Sequence, residues 1–126
     1  MRLNHIDLYS HSPKDTAMFF LDCLGLRLVT VRGKHSFFHL EDDAGFVLVI
    51  SPPVRSLGGD DQVTLNAQTY HIGFLLSGRD EVDSVWSRVK LGGYDISLPR
   101  EQHGAYTSYV TVPGNILVEI GYRPPS

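Results

Sequence analysis

The sequence predicts an α+β fold built from two tandem βαβββ modules. Three observations predict it. A strand, an amphipathic helix and three short strands occur in that order twice. Landmarks keep nearly one spacing between the copies: His5 and His71 stand 66 residues apart, Gly25 and Gly92 67, Gly45 and Gly114 69. Both helices run out in the same dipeptide, Leu24-Gly25 and Leu91-Gly92. Landmarks of different kinds holding one offset argue for internal duplication of a single unit.

The first module spans residues 1–53. Residues 3–9 alternate as a strand, with Ile6 and Leu8 on one face and His5 and Asp7 on the other. A helix starts at Ser12-Pro13-Lys14-Asp15, where Ser12 can cap, Pro13 suits the first turn and Asp15 can complete a capping box. Ala17, Phe20, Leu21 and Leu24 form its apolar stripe, and Gly25 closes it in the left-handed conformation. Strands follow at 26–31, 36–40 and 46–51, the last two joined by the turn Asp42-Asp43-Ala44-Gly45.

Residues 54–68 show no clear period, hold Gly58-Gly59-Asp60-Asp61, and read as a linker. The second module spans 69–123. A strand at 69–76 contains His71, Asp80 is the expected helix cap, and Val82, Val85, Trp86 and Val89 repeat the helical stripe. Gly92-Gly93 stops that helix. Strands at 95–98, 107–112 and 116–122 complete the unit, with Pro113-Gly114-Asn115 turning into the last. The whole chain, 1–126, reads as one domain.

Composition narrows the function classes. The 126 residues are 42% hydrophobic and 20% charged, ordinary values for a globular protein with a real core. A net charge of −3 gives no nucleic-acid footprint. No apolar run is long enough to span a bilayer, and the start lacks a secretory h-region. The single cysteine, Cys23, excludes a disulfide within the chain and reads as a small buried hydrophobe. The expectation is a reduced, cytoplasmic protein.

Alternation selects the chemistry. His5 and His71 begin equivalent strands on the face turned away from the helices. Glu119 is the only charge in Ile116-Leu117-Val118-Glu119-Ile120, where a carboxylate is costly unless paired, protonated or metal-bound. Two imidazoles and one carboxylate facing one cavity make a ligand set for a divalent transition metal with open positions, and Fe(II), Mn(II) and Zn(II) all suit it. The competing structural reading has the histidines merely packing and Glu119 paired with Arg27 or Arg123. Tyr109 and His103 are the candidate catalytic residues. Tyr109, on the strand beside Glu119, could bind substrate or serve as a core aromatic. His103, in the loop 100–104, could act as a general acid or base at the cavity mouth, or be solvated. His11 and His35 fall in loops; His39 lies on a strand beside Phe38.

Leu3-Asn4-His5-Ile6-Asp7-Leu8, Phe19-Phe20-Leu21-Asp22-Cys23-Leu24-Gly25-Leu26 and the closing hairpin from Ser108 to Ile120 together resemble the vicinal oxygen chelate superfamily of glyoxalase, bleomycin-resistance and dioxygenase proteins. The resemblance implies a cupped mixed sheet with helices outside and a metal, held by His5, His71 and Glu119, inside. It implies a small-molecule substrate whose neighbouring oxygens are chelated, with dioxygenase, lyase or thiol-transferase chemistry all within the family. It also implies a homodimer; in some relatives the modules of one site come from different chains. Counting 69 residues back from Glu119 reaches Ile50, which departs from the four-ligand pattern of glyoxalase I. Tyr109 matches a substrate-contacting tyrosine of the fosfomycin-resistance transferases, whereas Asp7 replaces their threonine. The alternative is a metal-free drug- or metabolite-binding protein of the bleomycin-resistance kind, using Trp86 and tyrosines as apolar surface.

Overall fold

A computed structural model describes residues 1–34, 36–53 and 70–125. The expected linker at 54–68, Thr69 and the turn residue His35 lie outside the described residues. The chain divides into two compact units, Met1–Val63 and Thr64–Ser126.

The first unit contains β1 (His5–Tyr9), α1 (Pro13–Leu24), β2 (Arg27–Arg32), β3 (Phe37–Glu41) and β4 (Val47–Ser51). Its sheet has the order β1-β4-β3-β2, with β1 parallel to β4 and the other pairs antiparallel. The second contains β5 (Ile72–Leu75), α2 (Arg79–Leu91), β6 (Arg100–Gln102), β7 (Ala105–Val112) and β8 (Ile116–Tyr122). Its order, β5-β8-β7-β6, repeats the first, again with one parallel pair, β5 and β8. Both units are thus βαβββ, and the α+β duplication stands.

Each core lies between helix and sheet. In the first unit α1 packs on β3 and β4, burying Phe19 and Phe20 completely against Leu40, Leu48 and Ile50. In the second, α2 packs on β7 and β8, and Val82 and Val89 meet a buried layer that includes Val110, Val118 and Ile120. Each such side chain contributes about 1.5–3 kcal/mol by leaving water.

The structure corrects several local expectations. The buried stripe of α1 is Thr16, Ala17, Phe19, Phe20 and Cys23, with Leu21 and Leu24 only half-buried. The helix is therefore turned by about one residue. The cause is Thr16, a polar residue whose hydroxyl bonds Ser10 Oγ at 2.8 Å and the Ser12 carbonyl at 3.1 Å, which lets it face inward. Ser12 occupies the N-cap position, but its side chain makes no cap bond; its own N–H donates to Ser10 Oγ at 2.9 Å. The N-cap of α2 is Gly78, not Asp80, which falls in the first turn beside Glu81. There the two carboxylates still favour the positive end of the helix dipole.

Strand placement differs most before β7. The strand expected at 95–98 is only a bridge, Ile96 to Val110. The strand is β6, inside the segment expected to be the loop 100–104, and His103-Gly104 is the tight turn into β7. Both turn residues have positive φ, 54° and 76°, as a two-residue hairpin of matching twist requires. The other turns hold. Asp42 accepts from the N–H groups of Ala44 and Phe46, and Gly114-Asn115 turns β7 into β8 with both φ positive.

Register gives the true correspondence between units. Asp7 pairs with Val49 across β1 and β4, and Gly73 with Glu119 across β5 and β8. The counterpart of Glu119 is Val49, not Ile50; the hairpin turns differ in length, so the glycine spacing runs one residue short. Valine offers no ligand either, and the asymmetry between modules remains.

Candidate functional site

The site is read best in the second unit. His71 directly precedes β5, and Glu119 sits in mid-β8 opposite Gly73. Tyr109 is the antiparallel partner of Glu119 on β7. Pleating puts Glu119, Tyr109 and Thr107 on the face opposite the buried Val110, Val118 and Ile120. The contacts agree. His71 Nε2 lies 3.0 Å from Glu119 Oε1, with the two side chains 26% and 24% exposed. Thr107 Oγ1 donates to Glu119 Oε2 at 2.8 Å and also lies 3.0 Å from the Ile120 carbonyl. The rings of His71 and Tyr109 meet edge-to-face, with centroids 5.8 Å apart.

Glu119 therefore has a partner on each carboxylate oxygen. Neither Arg27 nor Arg123 pairs with it: Arg27 bonds Glu41 at 3.0 Å, and Arg123 Nη1 donates to the His103 carbonyl at 3.1 Å. A cavity of about 250 Å³ opens over this group, lined by His71, Gln102, His103, Tyr109, Glu119 and Arg123. Burial, followed by the negative charge of Glu119 and a hydrogen bond to it, raises the Tyr109 pKa above 10.0; Arg100 offsets part of this. The phenol stays protonated at neutral pH and is a hydrogen-bond donor there.

His5 occupies the corresponding place in the first unit. It opens β1, is exposed, and holds Nδ1 2.8 Å from Asn4 Oδ1. On the same face Ser51 Oγ donates to Asp7 Oδ1 at 2.7 Å. His39 pairs with Val49 and so is the register counterpart of Tyr109. The structure thus brings together His71, Glu119 and Tyr109, with His103 on the same cavity wall. Among the described residues, no three His, Cys, Asp or Glu side chains are gathered into a group that could hold a metal ion.

The donor chemistry of the second unit fits a divalent ion. Imidazole nitrogen and carboxylate oxygen are both ligand types such an ion takes, and His71 Nε2 and Glu119 Oε1 stand side by side at 3.0 Å as a hydrogen-bonded pair. Thr107 supplies the outer hydrogen bond that would fix such a carboxylate.

Two contributors were not anticipated from sequence, Thr107 and Gln102, and Arg123 was read only as a possible partner of Glu119. Thr107 keeps even spacing with Tyr109 along β7, so alternation could have found it; Arg123 lies one residue beyond β8. Gln102 could not be placed while its segment read as a loop.

Comparisons with known proteins agree with the fold. No curated protein matches the sequence significantly. Among solved structures, a possible glyoxalase from Bacillus cereus is 28% identical, with a TM-score of 0.77, covering 95% of this chain and 97% of that one. A lactoylglutathione lyase from Agrobacterium tumefaciens is 19% identical, TM-score 0.78, covering 96% and 92%. The fosfomycin resistance protein FosX from Listeria monocytogenes is 21% identical, TM-score 0.75, covering 98% and 94%. The family profile matches residues 2–120, and the chain belongs to the Glyoxalase/Bleomycin resistance protein/Dioxygenase superfamily.

Proposed function

We propose that this chain is a metal-dependent enzyme acting on an oxygen-rich small molecule, with His5, His71 and Glu119 as ligands of a divalent Fe, Mn or Zn ion. The observation that carries the reading is the 3.0 Å approach of His71 Nε2 to Glu119 Oε1 beneath a cavity walled by Tyr109 and His103. Such an ion, when bound, holds two neighbouring substrate oxygens and stabilises the charge that develops on them. The chain's own residues do the rest. Thr107 holds Glu119 in one orientation through Oε2. Tyr109, kept protonated by burial and by Glu119, donates its hydroxyl proton into a hydrogen bond with a substrate oxygen as negative charge builds there. His103, at the turn beside the cavity, is placed to move a proton at the mouth.

Family members named for lyase activity and for fosfomycin resistance share this fold, so oxygenation, isomerisation and thiol addition are the reactions to assay. We further propose a homodimeric, cytoplasmic enzyme of one domain, with modules 1–53 and 69–123 joined by 54–68. Its single cysteine suits a reducing compartment.

A second reading, metal-free sequestration of a drug or metabolite, draws on the same contact, since His71 and Glu119 also satisfy each other as a hydrogen-bonded pair. Untagged protein analysed for metal, before and after His71→Ala, decides between them. The enzyme binds one equivalent of metal per site and loses it, with activity, in the variant. Wild-type protein that takes up no divalent ion, with ligand affinity unchanged in His71→Ala, would sink the metal reading.

A further inference from the structure

Glu119 is bordered by missing side chains. Its neighbour across the parallel pair is Gly73, and Gly121 follows two residues on along β8, on the same face. Glycine weakens a strand interior and marks bulges or close approach by a ligand or another backbone. Neither glycine has a positive φ, so backbone conformation requires neither. Packing explains Gly121: a Cβ there would press on Thr107 Oγ1 at 3.1 Å. Packing does not explain Gly73, where a Cβ would meet nothing nearer than 3.8 Å, an ordinary contact with Glu119. The bare floor at Gly73 leaves room that no side chain of this unit fills.

That room is a second cavity, about 180 Å³, lined by Gly73, Leu75, Ala105 and Gly121. It shares two wall residues, Glu119 and Arg123, with the larger cavity over His71 and Tyr109. Each is small beside the roughly 300–1,000 Å³ of drug-sized sites, so the occupant is a small molecule. Arg123 stands at the junction. It spends Nη1 on the His103 carbonyl and pairs with no carboxylate among the described residues. A guanidinium so placed presents a fork of donors suited to a planar anion.

We propose that this double cavity takes a small planar aromatic acid. Its ring lies flat on the Gly73–Gly121 floor against Leu75, and its carboxylate pairs with the Arg123 guanidinium. The ring edge then points toward Glu119, His71 and Tyr109, where vicinal ring oxygens would be chelated; that last step alone rests on the metal-dependent reading above. The floor explains a glycine that packing leaves unexplained, and the anion complements the Arg123 guanidinium.

Calorimetric titration of the full chain tests this. Benzoate, benzyl alcohol and cyclohexanecarboxylate are titrated in the presence of a chelator, and salicylate into metal-loaded protein. Benzoate binds at least about tenfold tighter than benzyl alcohol, as one charge-assisted contact predicts, and tighter than the non-planar acid. Arg123→Gln removes that tenfold for benzoate and leaves benzyl alcohol unchanged. Gly73→Leu fills the floor and abolishes binding of both aromatic probes. Gly73→Ala, which makes only ordinary contacts, weakens them and guards against a folding defect. Equal affinities for benzoate and benzyl alcohol, or for benzoate and cyclohexanecarboxylate, would overturn the proposal, as would wild-type affinity in Arg123→Gln. The chelator arms separate the two readings. Intact benzoate binding by a protein that takes up no metal sinks only the enzyme reading, whereas metal uptake without any preference for benzoate sinks only this one.

Discussion

At the scale of single residues, Tyr109 shows how one strand position acquires chemistry. Its ring stands edge-on to His71, and its hydroxyl titrates above 10.0 because burial and the Glu119 charge both disfavour the phenolate. Tyr106 is raised too, chiefly because its hydroxyl donates to Asp83 Oδ1 at 2.6 Å. Both lose their protons late in a spectrophotometric titration, and Tyr109→Phe removes one late step. The sign of the stability effect follows. Below pH 10 both native and unfolded chains hold the Tyr109 proton, and stability is flat with respect to it. As pH rises from about 10 through the higher native value, the unfolded chain gives up a proton that the native chain still holds, and stability falls. Denaturant midpoints measured from pH 8 to 11 fall less steeply in Tyr109→Phe than in wild type. An identical slope would remove Tyr109 from the account. His71 and Glu119 were placed on one face because alternation fixes which way a strand residue points, whereas Tyr109 stayed open between cavity and core until its pairing with Glu119 was seen. Thr107 shares that face by the same alternation, but its role shows only once the Glu119 carboxylate it bonds is in place. Gly73 escaped because the informative feature is an atom it lacks.

At the scale of elements, apolar period and helix-stopping glycines were more readable than caps. Leu24-Gly25 and Leu91-Gly92 align in sequence, yet they end their helices differently. Gly25 takes the left-handed conformation at φ 73°, whereas Gly92 stays right-handed and Gly93 turns at φ 88°. A dipeptide cannot show which of two glycines bears the turn. Substitution can. An alanine at position 93 meets no atom within 4 Å, so its cost is purely conformational, about 1–2 kcal/mol for a left-handed alanine. Gly93→Ala should lower the unfolding free energy by that amount, read as a lower urea midpoint at an unchanged slope, and a neutral effect would show that the turn is not fixed as described. The caps were misread because the start of α1 is organised by hydroxyls outside the expected cap position, Ser10 and Thr16. The strand β6 was missed because Arg100-Glu101-Gln102 is polar on both faces, and a polar strand has no period to detect.

At the scale of the whole molecule, duplication was legible, and the two modules differ at the position of Glu119. Both units have the same strand order and the same parallel first-to-last pairing, yet only the second places a carboxylate at the position where the first has Val49. Under the proposed assignment, a metal that binds only the native chain would add its binding energy to the stability of that chain. Ligand at about one hundred times its dissociation constant adds roughly 2.7 kcal/mol. For a chain of this length that raises Tm by on the order of 10 °C. Scanning calorimetry of metal-free protein with added Zn(II) or Mn(II) should show that rise, reversed by chelator and absent in His71→Ala and Glu119→Gln. His5→Ala is the discriminating variant. If it keeps the full rise, the ion is held by the second unit without the first, and the three-ligand assignment is wrong. If it loses the rise while His39→Ala keeps it, the ligand set is the one that strand alternation picked out.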